Sequence, residues 1–580
     1  MSKANKIIAS FLLLKFLTFF GCSETVSADF IVKNGTIYTV NEDNPKASAV
    51  AVKEGKIIDV GFDTDMESHI SRDTKILDLE GRTMVPGFIE SHGHIMGLGS
   101  SKLKLDLNGV ENYDEIVDMV SKAVGETEPG EWILGRGWHQ SKWTPQPEIM
   151  VKGFQTHHKL SAVSPENPVY LTHASGHAGF ANAKAMEIAG VLSGGDFNID
   201  LGDEIFIERD DGEIIRDENG EPTGIFNEVA QRVISKHIPS EDDVYQDRSL
   251  ELAMKECLIN GVTSFQDAGS GRASIDTYRR FLDSGKMKIR LYVMLSSRDP
   301  ELLYEWYERG PEIGLGNNFL TIRAIKLNAD GALGSRGAWL LSEYNDRPGH
   351  FGMATQSMDY VYEVTQKGFL TGFQVNTHAI GDRANREVLD QYEKVFNEYP
   401  ATIIDHRFRI EHAQHIDPDD IPRFKKLGVI ASVQGIHMSS DRPWAIDRLG
   451  EKRIQEGAYV WKSLLKSGAV VINGTDAPVE PVSPIASFYA SVSRKTLKGE
   501  PVGGYEAWEK MTRGEALKSY TLAAAYGAFE ENIKGSIEAG KLADFTVLSR
   551  DIMTVPENQI LGTKILYTIV NGEIAYQAKP

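Results

Sequence analysis

The sequence predicts an α/β architecture: a (β/α)8 TIM-like barrel with an inserted α/β subdomain and a small composite β-sandwich drawn from both chain ends. Three patterns predict it. Eight short apolar runs, at residues 84–89, 262–265, 289–295, 322–327, 374–377, 409–410, 429–433 and 470–473, are each followed by polar or glycine-rich residues and a helical stretch. Such runs are what a parallel sheet covered by crossover helices requires. The interval from about 97 to 260 is too long for one crossover and must hold a subdomain of its own. Finally, both ends of the chain carry short β-like runs punctuated by turns.

At 580 residues, 41% hydrophobic and 25% charged, the chain can bury a large core and has the composition of neither a disordered nor a multi-span membrane protein. Lys and Arg number 62 against 82 Asp and Glu, a net charge of −20. That field repels phosphate backbones and anionic lipid, so nucleic acid is not an expected partner.

Residues 1–22 stand apart. Lys3 and Lys6 precede an apolar segment at 7–20, interrupted by Lys15 and followed by Gly21-Cys22-Ser23. This reads as an export signal, too brief for a comfortable spanning helix. Its Gly-Cys junction resembles a bacterial lipoprotein signal, in which Cys22 becomes the lipidated first residue. The expected location is therefore outside the cytoplasm, periplasmic or anchored to a membrane. The only other cysteine, Cys257, sits at a helical apolar position and is expected in the core, which excludes a disulfide framework.

Residues 23–85 are β-like, with tight turns at Asn34-Gly35 and Glu54-Gly55. Residues 535–580 repeat the style at 544–548 and 567–573. Neither end has enough strands for a stable core, so the two are expected to pair into one sandwich. Residues 86–534 then form the barrel. In its insertion, Trp132, Trp138 and Trp143 are expected as packing residues rather than a substrate platform.

The first apolar run ends in Glu90-Ser91-His92-Gly93-His94. Two histidines one residue apart in extended backbone turn to the same side, and a metal held there needs further ligands from distant elements. Alone, His-x-His is commonplace. The ends of other runs supply Lys326 on the fourth, His378 on the fifth, His412 on the sixth and Asp476 on the eighth. A barrel gathers these ends around one mouth. An ammonium cannot coordinate a cation, but reaction of Lys326 with carbon dioxide gives a carbamate with two oxygens able to bridge a pair of ions. Plainer roles compete: Lys326 paired with Asp330, Asp476 capping a turn, His177 as a structural hydrogen-bonder. His415, three residues after His412, is expected in a loop or at the surface.

These stretches resemble the amidohydrolase superfamily, and within it the amidohydrolase 3 branch with its N-substituted formamide deformylase-like enzymes. Besides Pro86-Gly87-Phe88-Ile89 and His92-Gly93-His94, the resemblance rests on Ile325-Lys326-Leu327-Asn328-Ala329-Asp330-Gly331, Arg409-Ile410-Glu411-His412-Ala413-Gln414, Asn473-Gly474-Thr475-Asp476-Ala477-Pro478 and Gly535-Ser536-Ile537-Glu538-Ala539-Gly540-Lys541. It covers nearly the whole chain after the signal. It implies that His92 and His94 hold one metal, His378 and His412 the other, that carboxylated Lys326 bridges them, and that Asp476 contacts the first. Glu90 stands where many members have Asp, and Asn328 replaces an apolar or aromatic residue.

The implied chemistry is metal-dependent hydrolysis of a carbon–nitrogen bond, other than a peptide bond, in a small amide-like substrate. Asp476 would carry a proton from the attacking water to the leaving nitrogen. His177 and Arg336 are candidates for polarising the carbonyl. Nitrogen and oxygen ligands suit Zn2+ best, as one ion or two. The same fold also serves ester or phosphoester hydrolysis and isomerisation, and a non-catalytic exported binding protein is the third expectation. Homo-oligomerisation is left open.

Overall fold

The computed structural model describes residues 26–140, 143–174, 176, 178–193, 212–239, 242–400 and 405–579. The export segment with Cys22, and His177, lie outside the described residues.

Among the described residues, parallel strands follow one another around a barrel in chain order: β1 (Phe88–Gly93), β2 (Val262–Ser270), β3 (Arg290–Ser296), β4 (Leu320–Asn328), β5 (Gln374–Ala379), β6 (Arg409–His412), β7 (Ile430–Gln434) and β8 (Val471–Gly474). The seam between β8 and β1 is joined just past the strand ends, where Asp476 N–H donates to His92 O and His94 N–H to Ala477 O, both at 2.7 Å. Side chains alternate between the two faces of each strand. Phe265, Leu291, Val293, Val375 and Ile410 enter the large core with the helices, whereas Gln266, Tyr292, Gln374, Asn376, Arg409 and Glu411 form a buried polar layer. Helix Leu522–Gly527 closes the floor of the barrel, its Ala524 and Gly527 carbonyls accepting from Gln266 and Gln374 at 2.9 and 2.7 Å.

The first apolar run is divided rather than continuous. Thr83–Pro86 pairs antiparallel with Phe545–Leu548, outside the barrel. The break falls at Gly87, whose amide donates to Asp544 O at 2.9 Å and where any Cβ would run into the Thr263 side chain. β1 therefore starts at Phe88.

The two chain ends meet in one sheet, ordered Glu573–Gln577, Ile565–Val570, Phe545–Leu548, Thr83–Pro86, Thr36–Tyr38 and Lys46–Ala47. It faces a second sheet of Lys56–Gly61, Ala49–Lys53, Phe30–Lys33 and Lys75–Asp78 across Val32, Val50, Met84, Phe545 and Ile569. Glu54-Gly55 turns a hairpin between Ala49–Lys53 and Lys56–Gly61. The Asn34-Gly35 turn instead carries the chain from one sheet to the other, since Phe30–Lys33 pairs with Ala49–Lys53 and Thr36–Tyr38 with Thr83–Pro86. A buried Arg290–Asp544 ion pair at 2.7 Å ties this unit to the barrel.

The inserted unit is narrower than 97–260. Helices Ile95–Lys102 and Asp243–Ile259 belong to the barrel's flank, where Ile95, Leu98, Leu250 and Cys257 share its core. Between them lies a six-stranded sheet with its own core around Trp138, Trp143, Leu171 and Phe180. Trp138 and Trp143 are thus packing residues.

Candidate metal centre

The His-Gly-His stretch converges although it outruns its strand: His92 is on β1, and His94 caps helix Ile95–Lys102. Gly93 allows this, since a Cβ there would lie 2.5 Å from the ring of Phe265. Both imidazoles reach Asp476, with Nε2 of His94 at 3.1 Å and of His92 at 3.6 Å from Oδ1. These three residues present their donor atoms within 4.8 Å of one another.

Strands β4, β5 and β6 close the ring. Lys326 Nζ lies 3.1 Å from His92 Nε2. The rings of His92 and His412 are 4.8 Å apart, and those of His412 and His378 4.3 Å. All six expected residues therefore share one site. Two of them, His412 (φ 75°) and Asp476 (φ 59°), adopt left-handed backbone where their strands end. Such a conformation costs a non-glycine residue about 1–3 kcal/mol and persists only where the surroundings enforce it.

A supporting shell fixes the imidazoles. Glu411, adjacent to His412 and fully buried, takes Nδ1 of His92 at 2.5 Å, which leaves Nε2 facing the site. His412 Nδ1 is 2.8 Å from Gln434 Oε1, with the same effect. Neither Glu411 nor Gln434 was among the expected site residues. The signal for Glu411 lay in Arg409-Ile410-Glu411-His412, since charges alternating along a buried strand need a buried reason.

Electrostatics suits a cation. Burial pushes the imidazoles of His92, His378 and His412 below their usual range, His378 to about 3. Burial likewise lowers the amine of Lys326. Neutral imidazoles are the forms that coordinate metal, and an unprotonated amine is the form that reacts with carbon dioxide. Burial raises Glu411, but the imidazole of His92 and the guanidinium of Arg409 outweigh it and hold the carboxyl at about 2. Asp476 is likewise kept well below the carboxylate range against its burial, by His94 and its neighbours. Among the described residues, Nε2 of His378 is buried without a hydrogen bond, a donor atom whose natural use is a ligand bond.

Other expected residues fall differently. Asp330 does not pair with Lys326; it accepts the amides of Trp339, Ile380 and Gly381 at 2.8, 3.0 and 2.8 Å, pinning the loop after β4 to the end of β5. Arg336 is held bidentate by Asp346 at 3.1 and 2.8 Å. His415 is buried, not superficial, and burial depresses it to about 3. Glu90 reaches beneath β8, accepting Thr475 N–H and Oγ1–H at 2.7 and 2.8 Å. Its extra methylene over Asp is what spans the seam.

Residues 75–576 match the amidohydrolase family. The chain belongs to that family. Protein LONG AFTER FAR-RED 3 of Arabidopsis thaliana is 32% identical to this amidohydrolase over 566 residues, 95% of this chain and 92% of that protein. N-substituted formamide deformylase of Arthrobacter pascens is 29% identical over 567 residues, 95% of this chain and 99% of that one. The crystal structure of an uncharacterized metal-dependent hydrolase from Pyrococcus horikoshii OT3 is similar with a TM-score of 0.72 and 28% identity, covering 91% of this chain and 99% of its own. The amidohydrolase is thus a metal-dependent hydrolase built on a TIM-like barrel.

Proposed function

We propose that this amidohydrolase cleaves a carbon–nitrogen bond, outside peptides, in a small amide-like molecule. The observation that carries the reading is Asp476: a buried carboxylate 3.1 and 3.6 Å from two histidines of the site, placed to move a proton. The similarity to N-substituted formamide deformylase along 95% of the chain supports the bond type. His92, His94, His378, His412, carboxylated Lys326 and Asp476 would hold one or two divalent ions, with Zn2+ the best match to nitrogen and oxygen donors. A bound cation supplies Lewis acidity and makes water acidic enough to attack near neutral pH. Asp476 takes the proton that the attacking water loses and returns it to the departing nitrogen, so that the amide and water leave as carboxylic acid and amine. Glu411 and Gln434 keep His92 and His412 in the tautomer that this arrangement needs. Export with lipidation at Cys22 belongs to the same reading; labelled fatty acid incorporated by wild type and lost in Cys22→Ala would support it.

The test is a metal analysis joined to a panel of formamides, N-acyl amino acids, cyclic amides and esters. Divalent metal in the purified protein, turnover confined to amides and a kcat lowered by roughly two to four orders of magnitude in Asp476→Asn are expected. Metal-free active protein, or full activity in Asp476→Asn, defeats the reading; turnover of esters alone redirects it.

A further inference from the structure

His437 was not among the residues expected at the site. It sits in the first turn of helix Gly435–Leu449, directly after β7, and is 8% exposed. That turn is clamped in place: Gly435 N–H donates to Asn473 Oδ1 at 2.9 Å and Ile436 N–H to Ser487 Oγ at 3.1 Å. The His437 ring lies nearly parallel to that of His412, with 9° between their planes and centroids 6.1 Å apart. Among the described residues its buried Nε2 has no hydrogen-bond partner, and it lies 4.0 Å from Asp476 Oδ2.

One fact separates His437 from His92 and His94: it lies nearest Oδ2 of Asp476, whereas they address Oδ1. A gap of 4.0 Å is too long for a direct hydrogen bond, yet it places Nε2 beside the oxygen from which Asp476 would serve the leaving nitrogen. The nitrogen of an amide needs the proton that Asp476 carries; the carbonyl oxygen, which gains negative charge as water adds, needs a donor.

We propose that His437 is a further catalytic residue, its Nε2–H donating a hydrogen bond to the oxygen of the scissile carbonyl. The inference rests on the hydrolase reading above and adds the group that stabilises the developing oxyanion. A rigid, buried donor aimed where charge develops is the arrangement that removes most from a barrier. No metal bond is lost when it is replaced, and no proton changes owner at His437: the addition turns the carbonyl oxygen into an oxyanion whose charge Nε2–H shares, and collapse of the adduct expels the nitrogen.

The test uses the full-length, metal-loaded protein in three forms: wild type, His437→Phe and His437→Gln. Metal per chain, melting temperature, kcat and KM on the best amide of the panel, and binding of acetohydroxamic acid as a carbonyl-bearing probe are measured together. Expected are unchanged metal content, a kcat about 10²–10³-fold lower in His437→Phe with KM less affected, and hydroxamate binding about tenfold weaker, the worth of one hydrogen bond. His437→Gln, which keeps a donor, should recover part of both. Loss of metal in His437→Phe would make the residue a ligand and overturn the proposal, as would unchanged kcat and hydroxamate affinity. If His437→Phe melts lower, His437→Gln alone decides. A wild type that holds no metal and binds no hydroxamate would defeat the hydrolase reading itself, a result distinct from failure at His437.

Discussion

The mouth and the floor of this barrel are both polar and both buried, yet the floor is tied to backbone carbonyls and the mouth is not. On the floor, Arg409 directs its guanidinium to Gly527 O, to Gln266 Oε1 at 2.7 Å and toward Glu411, and Gln374 bridges Tyr292 to the closing helix. At the mouth, Nε2 of His378 and of His437 have no hydrogen-bond partner among the described residues, and His412 and Asp476 hold left-handed backbone. An unsatisfied buried polar group calls for a use, and these are imidazole nitrogens able to take a ligand bond; the floor keeps two acceptor oxygens of this kind, Asn376 Oδ1 and Glu411 Oε1. Glu411 connects the two ends, with one oxygen on His92 and the other 3.8 Å from Arg409.

The sharpest way to break the comparison is at the floor. Arg409→Ala strips a buried carboxylate of its nearest guanidinium and frees Gly527 O and Gln266 Oε1 of their donor, and should cost about 3–5 kcal/mol, read by urea denaturation. If instead stability holds and only activity falls, the floor is part of the machinery rather than its foundation. Glu411→Gln comes next. It should weaken metal affinity about 10- to 100-fold, measured by chelator competition. Its carboxyl is depressed from an ordinary 4.5 to about 2, so the stability it contributes is fully present above 4.5 and is lost as pH falls toward 2. The stability gap between wild type and Glu411→Gln should close over that window. A gap that stays constant would mean the carboxylate is not the source.

The smallest effect tests the rule where it looks weakest. His415 is buried, with both ring nitrogens unpartnered among the described residues, yet it packs against Tyr459 rather than in the histidine cluster. His415→Leu should change kcat by less than about twofold. Burial depresses its imidazole from 6.5 to about 3, so the unfolded chain takes up the proton first and wild type loses stability as pH drops below 6.5. The leucine variant should therefore gain on wild type between pH 6.5 and 3, a difference visible in melting curves. A clear loss of activity would move His415 into the site.

What the sequence revealed follows from what each feature depends on. Apolar strands and the residues at their ends are local, so six residues of the site and the barrel order were legible from runs and spacing. The division at Gly87 was not, because it depends on Thr263 and Asp544, far along the chain. The same holds for Glu411 and His437: each looks ordinary in its own segment and acquires its role only through His92 or Asp476 on another strand. The helices flanking the insertion were read as part of it because its bounds came from the gap between the first two apolar runs, and a gap does not tell against what a helix at its edge packs.

The composite sheet at the chain ends has a consequence in time. Thr83–Pro86 emerges early in synthesis, but its partner Phe545–Leu548 follows only after nearly the whole barrel, a delay of roughly half a minute to a minute and a half at ribosomal speeds. Until then a strand rich in valine and methionine has an open edge, the kind that pairs with the wrong chain. β1, which begins two residues later, waits equally for β8. The order of the ribosome thus leaves His92 and His94 among the first residues made and the last secured.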